Sequence, residues 1–252
     1  FNEAMDKALA ESVRRYSSEV AASRDMFLAV LGHDLRGPLS GIGMATLLLS
    51  KPDLADAARH KAAARIKRAC TEMGGLITDL LEYTRTRLGA GMPLERTACD
   101  IGAVCEDALE AIRTGFPEHP FVQTLSGDLQ LQADPARLRQ ALSNLLANAV
   151  QHGDSGSPIT LSAAGEADAV MLTVGNAGEP IASDALPTLF EPLVRAPNAA
   201  AQAQERSKTS LGLGLFIVRE IVLGHGGTIE LQSSIAGGTV FSVRLPRTPD
   251  PA

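Results

Sequence analysis

The residues of this 252-residue chain whose types and spacing suit chemistry are a His-Asp pair, two asparagines and three glycine-bearing turns. His33-Asp34-Leu35-Arg36-Gly37-Pro38-Leu39 lies inside an apolar-periodic stretch. A proline inside a helix costs roughly 3 kcal/mol and bends it, so His33 is expected at a kink, off the apolar seam and beside a carboxylate. Asn144 and Asn148 stand at i, i+4 on a helix face opposite leucines. Their amide oxygens are neutral hard ligands, suited to a Mg²⁺ ion that keeps several waters and bridges to phosphates; two polar residues on a solvated face is the plain alternative. Val174-Gly175-Asn176-Ala177-Gly178-Glu179-Pro180-Ile181 follows an expected strand, where backbone can approach a flat ligand. Gly212-Leu213-Gly214-Leu215 opens an expected helix, and helix N-termini with glycines present N–H groups to phosphate oxygens. Gly237-Gly238-Thr239 precedes the last strand and could admit close packing at a pocket wall.

The elements that must hold these groups divide near Gly89–Pro93. Residues 1–90 contain only two of the 14 prolines and seven of the 23 glycines, and carry a net charge of +2; the remainder carries −8. Long helices avoid Gly and Pro, whereas turn-rich mixed structure uses them. The first part is therefore expected to be helical. Leu9, Val13, Tyr16, Val20, Phe27 and Val30 form one apolar seam, and Ile66, Cys70, Met73, Ile77, Leu80 and Thr84 another. Ser50-Lys51-Pro52-Asp53 breaks the two helices. A four-helix bundle made by dimerisation would cover both seams, and a coiled-coil spacer is the competing reading.

The second part alternates. Strands are expected at Leu94–Ile101, Phe121–Leu125, Ile159–Ala164, Ala169–Val174, Thr228–Gln232 and Gly238–Leu245. Helices are expected from about Gly102 to Gly115, from Pro135 to His152, and from about Leu211 to Gly224. The middle helix shows its apolar face at Leu138, Ala141, Leu142, Leu145, Leu146 and Ala149. Residues Arg195–Ser210 have little to bury and read as a lid or as an insertion without structure.

Composition narrows the classes. Hydrophobic content of 45% excludes a wholly disordered chain, and a pI near 5.4 argues against a nucleic-acid binder. No apolar run approaches the roughly 20 residues of a membrane-spanning helix. Cys70, Cys99 and Cys105 show no metal spacing, which fits reduced thiols in a cytoplasmic setting. With Phe1 at its start and no leader, the chain reads as the end of a longer protein.

Taken in order, His33-Asp34-Leu35-Arg36-x-Pro38-Leu39, Asn144-Leu145-Leu146-x-Asn148-Ala149, Asn176-x-Gly178-x-Pro180-Ile181, Phe190-Glu191-Pro192, Gly212–Leu215 and Gly237-Gly238-Thr239-x-Phe241 resemble the transmitter region of two-component sensor histidine kinases. The resemblance covers residues 24–246. It implies an α+β multidomain chain: a signalling helix over 1–24, a dimerisation and phosphotransfer hairpin over 25–90, and a Bergerat-type α/β sandwich binding ATP over 91–252. It implies that His33 is the phosphoacceptor and that Asp34 orients the imidazole and takes its proton. Asn148 matches the Mg²⁺ ligand, with Asn144 near the phosphates. Gly178 matches the close approach to adenine within the block ending at Ile181, and Gly212 and Gly214, with Leu213 and Leu215, flank the phosphates. Arg195 or Lys208 would reach the γ-phosphate, and Thr239 would stand at the pocket wall. The implied partners are a second copy of the chain and a response regulator receiver domain, docking near His33 at Leu39 and Ile42.

Three positions depart from the family pattern. Asn176 replaces the usual Asp at the adenine amino group, which implies weakened ATP binding. Gly37 stands where Thr or Asn supports phosphatase activity, which implies that this activity is poor. Gln151 replaces a common Lys, with His152 beside it as a partial substitute. The form Asn-x-Gly-x-Pro-Ile is similar to that of some bacteriophytochrome kinases. These departures leave open a degenerate kinase acting as a dimeric scaffold; an ATP-driven clamp like gyrase or heat-shock chaperones is the remaining reading, and it lacks the His33 block.

Overall fold

The computed structural model describes residues 32, 34–87, 92–154, 156–194 and 212–248. His33, Arg195, Lys208, the seam from Leu9 to Val30 and the junction at Gly89 lie outside them. The chain divides at Leu76/Ile77 into two compact units.

The helical unit is a hairpin of α1, residues 34–49, and the first two-thirds of α2, Asp56–Arg87. Pro38 lies within α1, with helical residues on both sides. The break at Pro52 is held from the far side, where the Arg59 guanidinium donates to the carbonyls of Pro52 and Leu54. The buried stripe of α2 is Ala62, Ala69 and Leu76, in steps of seven, and Ala45 is its buried counterpart on α1. The expected seam lies beside this stripe in the single chain: Cys70, Ile77 and Thr84 are exposed, while Ile66, Met73 and Leu80 are half-buried. Alanines admit the close approach that a tight hairpin needs, so the small residues face inward and the bulkier stripe stays at the surface of the single chain.

The second unit begins with the end of α2 and continues as a sandwich. Its elements are β1 (Thr97–Asp100), α3 (Ile101–Gly115), β2 (Phe121–Ser126), β3 (Gln130–Ala133), α4 (Pro135–His152), β4 (Ile159–Gly165), β5 (Ala169–Asn176), α5 (Gly214–Gly224), β6 (Thr228–Ser234) and β7 (Gly238–Pro246). The main sheet has the order β2-β4-β5-β7-β6, with β2 parallel to β4 and every other pair antiparallel. Helices α3, α4 and α5 cover it, with α4 in the middle. All six apolar positions expected on α4 are buried.

Three elements differ from expectation. β1 starts at Thr97 rather than Leu94. α5 starts at Gly214 rather than Leu211. β3 was not expected at all: its four residues alternate Gln with Leu131 and Ala133, too short a pattern to register, and it forms by pairing with β1.

Polar locks join the layers. Asp134 caps α4 by accepting the Ala136 and Arg137 N–H groups at 3.0 and 3.1 Å, and its second oxygen accepts Glu95 N–H at 3.0 Å. Burial pushes this carboxyl up, but the N–H bonds outweigh it and hold it below the usual carboxylate range. His225, 3% exposed, ends α5. Its Nδ1–H donates to the Ile221 carbonyl at 2.7 Å and its Nε2 accepts the Asp134 backbone N–H at 3.0 Å. Both ring nitrogens are thus satisfied in the neutral imidazole. At the opposite end, the Arg247 guanidinium donates to the carbonyls of Asp128, Gln130 and Glu166 and to the Asp128 carboxylate, clipping two turns to the end of β7.

The tail of α2 packs on this unit. Glu82, 7% exposed, pairs with Arg137 of α4 and accepts the Gln140 amide N–H at 2.8 Å. Tyr83 sets its ring edge-on to Phe216 of α5, with centroids 5.8 Å apart. Burial, and then the Glu82 carboxylate, pushes Asp79 up to about 7.

Two stability predictions of opposite sign follow. Burial holds His225 below its ordinary value of 6.5, so its contribution is complete above pH 6.5 and declines as pH falls below it. In denaturant titrations His225→Asn is expected to lose stability less steeply than wild type below pH 6.5; equal slopes would contradict the assignment. Asp79 is raised above its ordinary 3.8, so its favourable contribution is complete below pH 3.8 and is lost as pH rises to about 7. Asp79→Asn is expected to be more stable than wild type at pH 8 by roughly 2 kcal/mol, allowing for solvent screening, with no gain near pH 4.

Candidate functional site

Helix α4 positions the site because its two faces do different work. Its leucines enter the core, which turns Asn144 and Asn148 to a half-buried flank beside the start of α5. Gln151 and His152 occupy its last, exposed turn. From Asn144 to His152 the helix advances about 12 Å. Desolvation of its ring lowers the His152 pKa below the ordinary 6.5.

At one end of that row stands the N-terminus of α5. Asn144 Nδ2 donates to the Gly214 carbonyl at 3.3 Å. No side chain caps this eleven-residue helix, so the N–H groups of its first turn point out of it without an intrahelical partner. Among the described residues, a Cβ on Gly214 would meet nothing nearer than the Asn144 side chain at 3.8 Å, an ordinary contact. The missing side chain therefore leaves open room beside Asn144 rather than relieving a clash. Gly212 differs: its φ is +65°, and a Cβ there would come within 2.8 Å of the Val194 carbonyl oxygen. It is required by the turn itself. Leu213 is fully buried and Leu215 half-buried, so both anchor the start of the helix.

At the other end, the turn after β5 interlocks with the turn after α4. Asp154 N–H donates to the Ala177 carbonyl at 2.9 Å. Gly178 passes so close that a Cβ would lie 2.8 Å from the His152 carbonyl oxygen. Asn176 is buried, and its Nδ2 donates to the Ala177 carbonyl at 3.1 Å. It pairs across the sheet with Thr239 of β7. Thr239 is buried and hydrogen-bonded to Ser233 at 2.8 Å, and Ser233 Oγ accepts the Ile181 backbone N–H at 2.9 Å.

The start of α5 and the turn after β5 thus meet the 144–152 segment of α4, and Thr239 joins them through its pairing with Asn176. Asp34 belongs to the helical unit, where it is 1% exposed within α1. Leu39 is exposed on the same helix and Ile42 half-buried. Sequence reasoning missed Ser233, which ties Ile181 to β6, because a lone serine in a strand carries no local signal. It also missed Glu82, Arg137 and Gln140, whose pairing joins residues more than fifty positions apart.

The open space beside Asn144 and the uncapped helix end fit a polyphosphate. Among the described residues no group of three or more His, Cys, Asp and Glu could hold a metal ion. A cation next to Asn148 would accordingly take most of its ligands from phosphates and water, as Mg²⁺ does readily. Among the described residues no helix is long and apolar enough to cross a membrane.

The arrangement has known counterparts. Residues 23–89 match the model of the His Kinase A (phospho-acceptor) domain, and residues 133–249 match that of the histidine kinase-, DNA gyrase B- and HSP90-like ATPases. The chain is 29% identical over 249 residues to a bacteriophytochrome of Pseudomonas aeruginosa, aligning 96% of itself with 33% of that protein. It is 33% identical over 247 residues to the probable sensor histidine kinase TcrY of Mycobacterium tuberculosis, aligning 97% of itself with 50% of that protein. The chain thus spans between a third and a half of the length of these relatives. Full-length ShkA, solved in complex with AMPPNP, is 27% identical with a TM-score of 0.62, over 89% of this chain and 46% of that one. A phospho-acceptor helical region followed by this ATPase sandwich, matched along nearly its whole length, places the chain in the two-component sensor histidine kinases, as their transmitter region.

Proposed function

We propose that this chain is the catalytic core of an ATP:protein-histidine phosphotransferase that phosphorylates its own His33 and passes the phosphoryl group to an aspartate of a response regulator. The observation that carries the reading is that two distant blocks meet α4, the turn after β5 at its end and the start of α5 at Asn144, the latter beside a space suited to a polyphosphate. AMPPNP bound to ShkA supports ATP as the nucleotide.

The residues take the following parts. Asn144, Gly212, Leu213, Gly214 and Leu215 hold the phosphates, with Arg195 or Lys208 reaching the γ-phosphate. Asn176, Gly178, Ile181 and Thr239 form the base end, and Gln151 and His152 lie between the two. Asn148 would hold Mg²⁺, which neutralises phosphate charge when bound. A ring nitrogen of His33 attacks the γ-phosphorus, the bond to the bridging oxygen breaks, and ADP leaves. Asp34 holds the imidazole and accepts the proton that the attacking nitrogen loses. Transfer to the regulator then forms an aspartyl phosphate and restores His33.

In this reading, residues 1–24 are the signalling helix, 25–90 the dimerisation and phosphotransfer domain, and 91–252 the ATP-binding domain. The protein acts at the cytoplasmic side as a homodimer. The bulky α2 stripe left exposed in the single chain, Ile77 among it, supports a second copy packing there, and the exposed Leu39 supports regulator docking near His33. The departures at Gly37, Gln151 and Asn176 favour the scaffold reading instead, so the deciding experiment must read chemistry.

Incubation with γ-labelled ATP and Mg²⁺ is expected to leave acid-labile, base-stable label on wild type and none on His33→Gln. Absence of label on wild type that still binds nucleotide would move the assignment to a scaffold. Gly37, exposed one turn after His33, has no side chain to position water. Dephosphorylation of a phosphorylated receiver without ADP is therefore expected to be slow, and at least several-fold faster with Gly37→Thr. Fast dephosphorylation by wild type would remove this role for the position.

A further inference from the structure

Strand β2 borders the main sheet and pairs only with β4. Successive residues of a strand turn their N–H and C=O groups to opposite sides. The Pro120 carbonyl accepts Ile159 N–H, so positions 122, 124 and 126 face β4, while Phe121, Gln123 and Leu125 turn their backbone groups outward. The Phe121 carbonyl is taken by the Arg113 guanidinium at 3.4 Å. The outward groups of Gln123 and Leu125 have no partner among the described residues. Exposed edges are ordinarily blunted by charge, proline or a bulge. The opposite border, β6, carries Glu230 in mid-strand. β2 has none of these devices: it is uncharged, its register with β4 is unbroken, and Val122 and Leu125 are exposed.

Beside this edge lies a groove of about 500 Å³, lined by Glu106, Glu110, Arg113 and Thr114 of α3 and by Gln123 of β2. Glu106 and Glu110 are exposed and make no ion pair among the described residues, whereas Asp107 between them is held by Arg139. Gln123 Nε2 is shielded from water and lacks a hydrogen-bond partner. A buried donor left so is rare and costly, and the protein's own groups do not complete the floor of this groove.

We propose that the groove is a docking site for an extended basic segment of a partner polypeptide, which adds to β2 as a further strand and lays arginine or lysine side chains, two positions apart, on Glu106 and Glu110. The spacings agree: four residues along α3 advance about 6 Å, and alternate residues of a strand about 7 Å. Val122 pairs with Thr160 and so projects from the other face of the sheet, where the intervening side chains of the added strand would lie and are best apolar. A second copy joined edge to edge would bring the same two carboxylates against these. Charge therefore selects a basic occupant.

The test is an anisotropy titration of the 252-residue chain with a short fluorescein-labelled peptide of alternating arginine and valine. Saturable binding is expected, weakened about tenfold or more in the double variant Glu106→Gln/Glu110→Gln. The same peptide with its backbone N-methylated throughout keeps its charge but cannot pair, and is expected to bind about tenfold or more weakly. Leu125→Pro removes one outward N–H at a place where an edge strand tolerates proline, and is expected to weaken binding similarly. The methylated peptide decides the matter should that variant fold poorly. No saturable binding overturns the inference, and so does equal binding of the methylated peptide, which would leave charge attraction alone. Self-association of the wild-type chain that Leu125→Pro abolishes would assign the edge to a second copy and overturn it as well.

Discussion

The neutral imidazole of His225 and the carboxylate of Asp134 meet where α5 ends and α4 begins, and the rest of the ATPase unit is hung from that junction. Asp134 spends one oxygen on the first turn of α4 and the other on the strand-ward backbone at Glu95, while its own N–H is taken by His225. One residue thereby sets the start of α4 against both neighbours. The four leucines of α4 then fix its rotation, since their burial contributes roughly 6–12 kcal/mol as an upper estimate. With start and rotation both set, Asn144 and Asn148 have only one place to be. The chemistry is a by-product of how the core is packed.

The helical unit obeys a different constraint. Its hairpin closes through alanines, which bring α1 and α2 together without using the larger apolar residues of α2. A chain so arranged leaves a second apolar stripe at the surface of the described residues. Further along, the same helix changes role: Glu82 and Tyr83 belong to the packing of the ATPase unit, against Arg137, Gln140 and Phe216. The phospho-acceptor match runs to residue 89 and includes this stretch, whereas the contacts assign α2's tail to the second unit.

Glycine had two distinct uses that local sequence does not separate. Gly212 and Gly178 are demanded by backbone, one by a left-handed turn and one by a close approach to His152. Gly214 is demanded by none of the described residues around it. Only the last of these marks room for a ligand, and the distinction comes from what a Cβ would touch.

Much was legible in order and period alone. The leucine face of α4, the strand blocks from β4 to β7, the break at Pro52 and the succession of motifs all follow from local pattern, because a helix or strand repeats its environment every few residues. Residue types likewise determined the chemistry to expect: a His beside an Asp, amides at i, i+4, glycines at a helix start. What only tertiary structure decided was everything that depends on partners distant in the chain. β3 exists because β1 is beside it; Ala62 and Ala69 rather than Ile66 and Cys70 face inward because α1 is close; Asn176 is buried with its Nδ2 on the Ala177 carbonyl because the turns after α4 and β5 interlock there. Periodicity reports that a face is apolar, but which of two faces is buried, and which carbonyl a buried amide bonds to, are properties of the neighbours that folding supplies.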